Sequence, residues 1–127
     1  MFEIVQPDTL ATPAAPYSPA IVSGDLVMLS GQVPFTSTGE LVSDDFGEQA
    51  HRVFQNIGEC LRAAGCDFED VLRVSAFLSD LSDFEPFNEV YGEYFKPPYP
   101  VRTTVGAALL GFKVELDAIA RRPKAKH

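Results

Sequence analysis

Tryptophan is absent from this 127-residue sequence, and histidine and cysteine occur twice each, as His51, His127, Cys60 and Cys66. Two cysteines make no disulfide framework, and no His-Cys-Asp/Glu cluster has metal-ligand spacing, so no metal is expected. No apolar run approaches the roughly 18 residues of a membrane span, which argues against transmembrane topology. The opening stretch MFEIVQPDTL has no basic n-region, so a cytoplasmic protein is expected rather than a secreted one. A P-loop, a G-x-G-x-x-G fingerprint and a G-x-S-x-G elbow are all missing, and with them the usual signs of nucleotide and serine-hydrolase chemistry. Positive charge is scarce too. Four of the ten Lys/Arg (Arg121, Arg122, Lys124, Lys126) lie in the last seven residues, so residues 1–120 hold six cations against eighteen anions, a net of −12. Such a body repels nucleic acid and anionic membrane. The basic stretch 121–127 reads as a solvated, frayed terminus.

What is present is enough apolar sequence for one core. At 46% hydrophobic and 22% charged residues, residues 1–127 are expected to form a single domain. Phe2 to Val5 reads as a short strand, and the four prolines between Pro7 and Pro19 make an extended loop. Ala20–Val22 and Leu26–Ser30 flank Ser23-Gly24-Asp25 as a hairpin. Residues 44–64 form the clearest helix, with Phe46, Ala50, Val53, Phe54, Ile57, Leu61 and Ala64 on one stripe and Gly65 as its stop. Val71 to Leu78 alternates as a strand, with Leu72, Val74, Ala76 and Leu78 inward. A second helix is expected to start at Ser82 with Glu85 closing a capping box, burying Phe84, Phe87, Tyr91 and Tyr94/Phe95. Arg102–Ala108 and Lys113–Ala120 flank Leu109-Leu110-Gly111-Phe112 as a second hairpin. The order β-β-β-α-β-α-β-β argues for an α+β fold, one mixed sheet with two helices on one face. Several strands are apolar on both sides, so the uncovered face calls for a homo-oligomer, and small sites often form at such interfaces.

Within this frame some residues invite chemistry. Arg102 has apolar or hydroxylic neighbours and no acid beside it in sequence. Its planar fork suits a carboxylate or phosphate ligand, and pairing with a distant Asp or Glu explains it equally well. Glu115 and Asp117 share one strand face about 7 Å apart. A carboxylate there can position a water or act as a base, although a solvated strand face is the plainer reading of the pattern. Tyr17 follows Pro16 in the proline-fixed loop. Ser30-Gly31 ends a strand with a hydroxyl and free amides, and Asn88 sits inside a helix that disfavours it. Cys60 lies beside the helix stripe and reads as structural, whereas Cys66 is expected to be partly exposed.

Taken in order, several stretches resemble the reactive intermediate deaminase (Rid, YjgF-like) family. They are Ala15-Pro16-Tyr17-Ser18-Pro19-Ala20, Leu29-Ser30-Gly31-Gln32-Val33-Pro34, Asn56 with Ala63-Ala64-Gly65, and Val74-Ser75-Ala76-Phe77-Leu78. Phe87-Asn88-Glu89-Val90-Tyr91, Pro100-Val101-Arg102-Thr103-Thr104-Val105 and Val114-Glu115-Leu116-Asp117-Ala118-Ile119-Ala120 follow. The resemblance implies a chorismate-mutase-like α+β fold and a homotrimer with clefts between subunits. It also implies hydrolysis, without a cofactor, of imines and enamines such as 2-iminobutanoate and 2-aminoacrylate, products of pyridoxal-phosphate enzymes, to 2-oxo acids and ammonia. Arg102 would then hold the substrate carboxylate and Glu115 would orient or deprotonate the water. Tyr17, Ser30, Gly31, Asn88 and Thr104 would line the pocket. Thr104 replaces a cysteine common in the family, and Leu109-Leu110-Gly111 departs from its usual Leu-Pro turn. A non-catalytic sensor of 2-oxo acids or amino acids would need Arg102 but not Glu115. An RNA-directed role, also attached to parts of the family, is opposed by the charge.

Overall fold

A computed structural model of the chain describes residues 1–124. Six strands form one sheet: β1 (Glu3–Val5), β2 (Ala20–Ser23), β3 (Leu26–Gln32), β4 (Val71–Leu78), β5 (Val101–Gly106) and β6 (Val114–Arg121). Helices α1 (Phe46–Ala63) and α2 (Phe84–Tyr94) accompany them. The spatial order is β1-β2-β3-β6-β4-β5, antiparallel except for the β4–β5 pair. The core lies between the sheet and the helices, where Val27, Val53, Phe54, Leu61, Ala76, Leu78, Phe87 and Val114 are fully buried.

Helix α1 follows its sequence signals. Asp45 caps it by accepting the Glu48 amide at 2.9 Å, and its apolar stripe faces the core. Its end is a Schellman turn: Gly65 takes φ +83°, its amide donates to the Arg62 carbonyl, and the Cys66 amide donates to the Leu61 carbonyl at 2.8 Å. That turn folds Cys66 inward, so it is buried rather than partly exposed.

The second helix begins differently from expectation. Ser82 lies in a 3₁₀ turn over Leu81–Asp83, and no side chain caps α2 at Phe84. The Asp80 carboxylate, two residues before Ser82, accepts the Ser82 amide at 2.9 Å. This local Asx turn competes successfully with the capping box. Phe84 is 39% exposed and so leaves the buried stripe. Leu72 is also exposed, because a bulge between Val71 and Arg73 shifts the β4 register.

The expected second hairpin does not form. Strand β6 inserts between β3 and β4, while β5 lies parallel to β4 on its far side. A parallel neighbour needs a crossover, and α2 supplies it between β4 and β5. The terminus also differs from expectation. Arg121 is the last residue of β6, with its Nε 3.5 Å from the Asp25 carboxylate. Arg122 Nε donates to the Ala64 carbonyl at 2.8 Å, satisfying the end of α1. Residues 125–127 of the expected basic tail lie outside the described residues.

One consequence of the register governs the site. Val74 faces Arg102 and Ala76 faces Thr104, so Arg102 and Thr104 share the helix-covered face of the sheet. Ser75 faces Asp117 and Phe77 faces Glu115, so both carboxylates share the other face. That second face has no helix and carries Met28, Val101 and Val105, each more than 40% exposed.

Candidate active site

Arg102 is the second residue of β5, the free edge strand, placed there by the proline-rich exit from α2. Its guanidinium carbon stands 4.7 Å from the ring centroid of Tyr91, 5.2 Å from Phe87 and 5.6 Å from Phe84. These rings attract the cation. Nη2 donates to Asn88 Oδ1 at 2.7 Å, which sets the plane of the fork. Among the described residues no carboxylate lies within 4.0 Å of Arg102. Of the two readings open in the sequence, pairing with a distant acid is therefore removed. A cavity of about 320 Å³ opens beside it, lined by Asn88, Tyr91, Gly92, Tyr99, Pro100 and Arg102.

Glu115 belongs to a different cavity, of about 590 Å³, whose walls include Tyr17, Ser30, Gly31, Phe35, Leu110 and Phe112. A Cβ at Gly31 would meet the Glu115 carboxylate, so a side chain there would make that carboxylate shift. Burial, reinforced by the charge of Asp117, pushes the Glu115 carboxyl above the ordinary carboxylate range. Such a group is suited to take a proton from water near neutral pH. Ser30 spends its hydroxyl hydrogen on the Ser18 carbonyl at 2.6 Å, and its amide donates to the Pro19 carbonyl at 2.9 Å. Both bonds tie the proline loop to β3 and present Tyr17, which is 53% exposed. Ser30 thus acts first as a brace, with only acceptor capacity left for a ligand.

Sequence-predicted residues therefore fall into two groups. Asn88 and Arg102 meet in one cavity; Tyr17, Ser30, Gly31 and Glu115 meet in the other. Thr104 lines neither, and its Oγ1 is buried without a hydrogen-bond partner. Within one chain Arg102 and Glu115 do not meet, because they lie on opposite faces of the sheet. Sequence reasoning missed the aromatic floor under Arg102. Its signal was present in the spacing of Phe84, Phe87 and Tyr91, which is indistinguishable from a core stripe. Among the described residues no group of three or more His, Cys, Asp or Glu converges as a metal site.

The architecture is that of a small α+β protein with two separate candidate cavities, one beside a cation and one beside a carboxylate. Comparison with known proteins gives it a family. The family model described as Endoribonuclease L-PSP matches residues 8–122. The chain is 40% identical over 108 residues to the 2-iminobutanoate/2-iminopropanoate deaminase of Homo sapiens, covering 83% of this chain and 79% of that protein. It is 47% identical over 110 residues to Protein DfrA of Myxococcus xanthus, covering 83% and 84%. A crystal structure of RidA from an Antarctic Psychrobacter superposes with a TM-score of 0.88 at 37% identity, covering 94% of this chain and 98% of that one. The chain belongs to this family, the RidA/YjgF group that includes the reactive intermediate deaminases.

Proposed function

We propose that the protein is an imine and enamine deaminase, converting small 2-imino acids to 2-oxo acids and ammonia in clefts shared between the subunits of a homotrimer. The observation that carries this is the carboxylate-free guanidinium of Arg102, set among aromatic rings and hydrogen-bonded to Asn88. It complements the kind of substrate named for the human relative, a carboxylate beside a C=N bond. In the reaction Arg102 holds the substrate carboxylate, and Glu115 accepts a proton from water as its oxygen adds to the imine carbon. The C=N π pair moves to the protonated imine nitrogen to give the carbinolamine. Glu115 returns its proton to that nitrogen, the hydroxyl gives up its own proton to the freed carboxylate as C=O forms, and the C–N bond breaks to release ammonia. An enamine enters after protonation at carbon gives the imine. Substrates of this kind arise from pyridoxal-phosphate enzymes, which fits the expected cytoplasmic setting.

The separation of Arg102 and Glu115 on opposite faces of the sheet supports a shared cleft. A second copy covering the helix-free face would bury Met28, Val101 and Val105, and Arg102, on the free edge strand β5, stands where a neighbouring chain can reach it. No helix among the described residues is long and apolar enough to cross a membrane. The net of −12 over residues 1–120 disfavours RNA as the substrate. To test the proposal, 2-iminobutanoate is generated in place by a dehydratase and oxo-acid release is followed. Wild type should accelerate release over buffer, and Arg102→Ala should lose about tenfold or more, the cost of a charge-assisted contact. Glu115→Gln should lose turnover while still binding 2-oxobutanoate. Absence of acceleration by wild type rejects the deaminase assignment.

A further inference from the structure

The segment between β5 and β6 leaves a large apolar side chain outside the core. Leu110 is 92% exposed and lines the Glu115 cavity, so it stands at the rim. Its place is fixed from both sides. The Ala107 amide donates to the Leu78 carbonyl at 2.9 Å, which ties the segment to the end of β4. The Gly111 amide donates to the Leu109 carbonyl at 2.9 Å, making a tight three-residue turn with Leu110 at its centre. Gly111 takes φ +85° on leaving that turn. Phe112 then packs edge-on against Phe35, ring centroids 5.7 Å apart, and the Lys113 amide donates to Gln49 Oε1 at 2.8 Å. An anchored turn holds Leu110 in place, so a ligand that touches it loses little to ordering.

We propose that Leu110 is a specificity-determining residue, which selects 2-imino acids with a branched apolar side chain over the shorter 2-iminobutanoate. The proposal rests on the deaminase reading and names the substrate class within it. The imine carbon carries a carboxylate, a nitrogen and a side chain. With the carboxylate on Arg102 and the water at Glu115, the side chain is left to the walls of the Glu115 cavity. Val33, Phe35, Leu110 and Phe112 make those walls apolar. Among the described residues no lysine or arginine lines the cavity, so an acidic side chain would meet only the charge of Glu115. The volume of about 590 Å³ is one that suits ligands larger than 2-iminobutanoate, which leaves much of it to water. A branched side chain that reaches the rim covers Leu110 and removes apolar surface from water on both partners.

Leu110→Ala shortens the rim, and Leu110→Met keeps an apolar side chain of similar volume. An amino-acid oxidase, with catalase to remove peroxide, generates 2-iminobutanoate from 2-aminobutanoate and 2-imino-4-methylpentanoate from leucine. Hydrolysis of each is followed with wild type and both variants, and binding of the two matching 2-oxo acids is measured by calorimetry. Wild type should favour the branched imine in kcat/KM by about tenfold or more, the scale of a few carbon atoms in an apolar pocket. Leu110→Ala should lower that ratio about tenfold, with the same change in the ratio of 2-oxo acid affinities, and Leu110→Met should retain the preference. Wild type that hydrolyses 2-iminobutanoate as well as the branched imine overturns the Leu110 proposal and leaves the deaminase reading standing. An equal loss on both substrates by Leu110→Ala, as weakened assembly would give, overturns it as well, and so does a loss by Leu110→Met as large as that by Leu110→Ala. Wild type that accelerates neither hydrolysis overturns both.

Discussion

Glu115 and Asp117 show how much a neighbour decides at the scale of one residue. Both project from the same face of β6, but of the two only Glu115 lines the cavity that it shares with Gly31. Its carboxyl is raised first by burial and then by the Asp117 charge. In the proposed reaction turnover needs the ionised form of Glu115, so activity should fall as pH drops through that raised value, above where an ordinary carboxylate would act. Asp117→Asn removes the smaller of the two causes. The acid limb of kcat/KM against pH should then move to lower pH, by less than a return to the ordinary range. A limb that stays in place or moves up would show that Asp117 does not act on Glu115. For stability the sign is opposite. A raised carboxyl favours the protonated native state, so its contribution is present at low pH and is lost as pH rises through the raised value. Arg102 makes a related point, since its significance lies in what is absent around it, an acid within reach, which no local sequence window could show.

At the scale of elements, local signals succeeded where one dominated and failed where two competed. Helix α1 has an Asp45 cap, an apolar stripe and a glycine stop, all agreeing. Gly65→Ala should cost about 1 kcal/mol, because an L-residue is strained in the left-handed turn that ends the helix. Urea denaturation would read this as a lower midpoint at unchanged slope, and an unchanged midpoint would mean that the Schellman turn is not needed. The start of α2 was misread because Asp80 and Ser82 both offer caps, and the charged acceptor two residues upstream captures the amide. The β5–β6 connection was misread because Leu109-Leu110-Gly111-Phe112 looks like a hairpin turn. Turn residues report that the chain bends, not which strand it bends toward.

At the scale of the whole molecule, the division of the site across the sheet yields the most decisive expectation. If clefts are shared between subunits, Arg102→Ala and Glu115→Gln subunits complement each other. Each variant alone should be nearly inactive, and the two unfolded together and refolded as a mixture should recover about a quarter of wild-type activity, since random pairing restores that share of interfaces. No recovery in mixed oligomers would refute the shared cleft. Val105→Asp, which puts a charge on the exposed apolar face, should weaken assembly, as size-exclusion chromatography would report.

The scarcity of positive charge was fully legible in the sequence, and it directed attention to Arg102 before any fold was known. So were the α+β class, the two helices, the first hairpin and the alternation that puts Glu115 and Asp117 on one face, because these depend on period and on neighbours a few residues away. The insertion of β6 between β3 and β4, the aromatic rings around Arg102 and the separation of Arg102 from Glu115 were decided only by tertiary structure. Each depends on long-range strand pairing. A side chain's face is set by its strand's period, but the groups that share that face are set by which strand lies alongside.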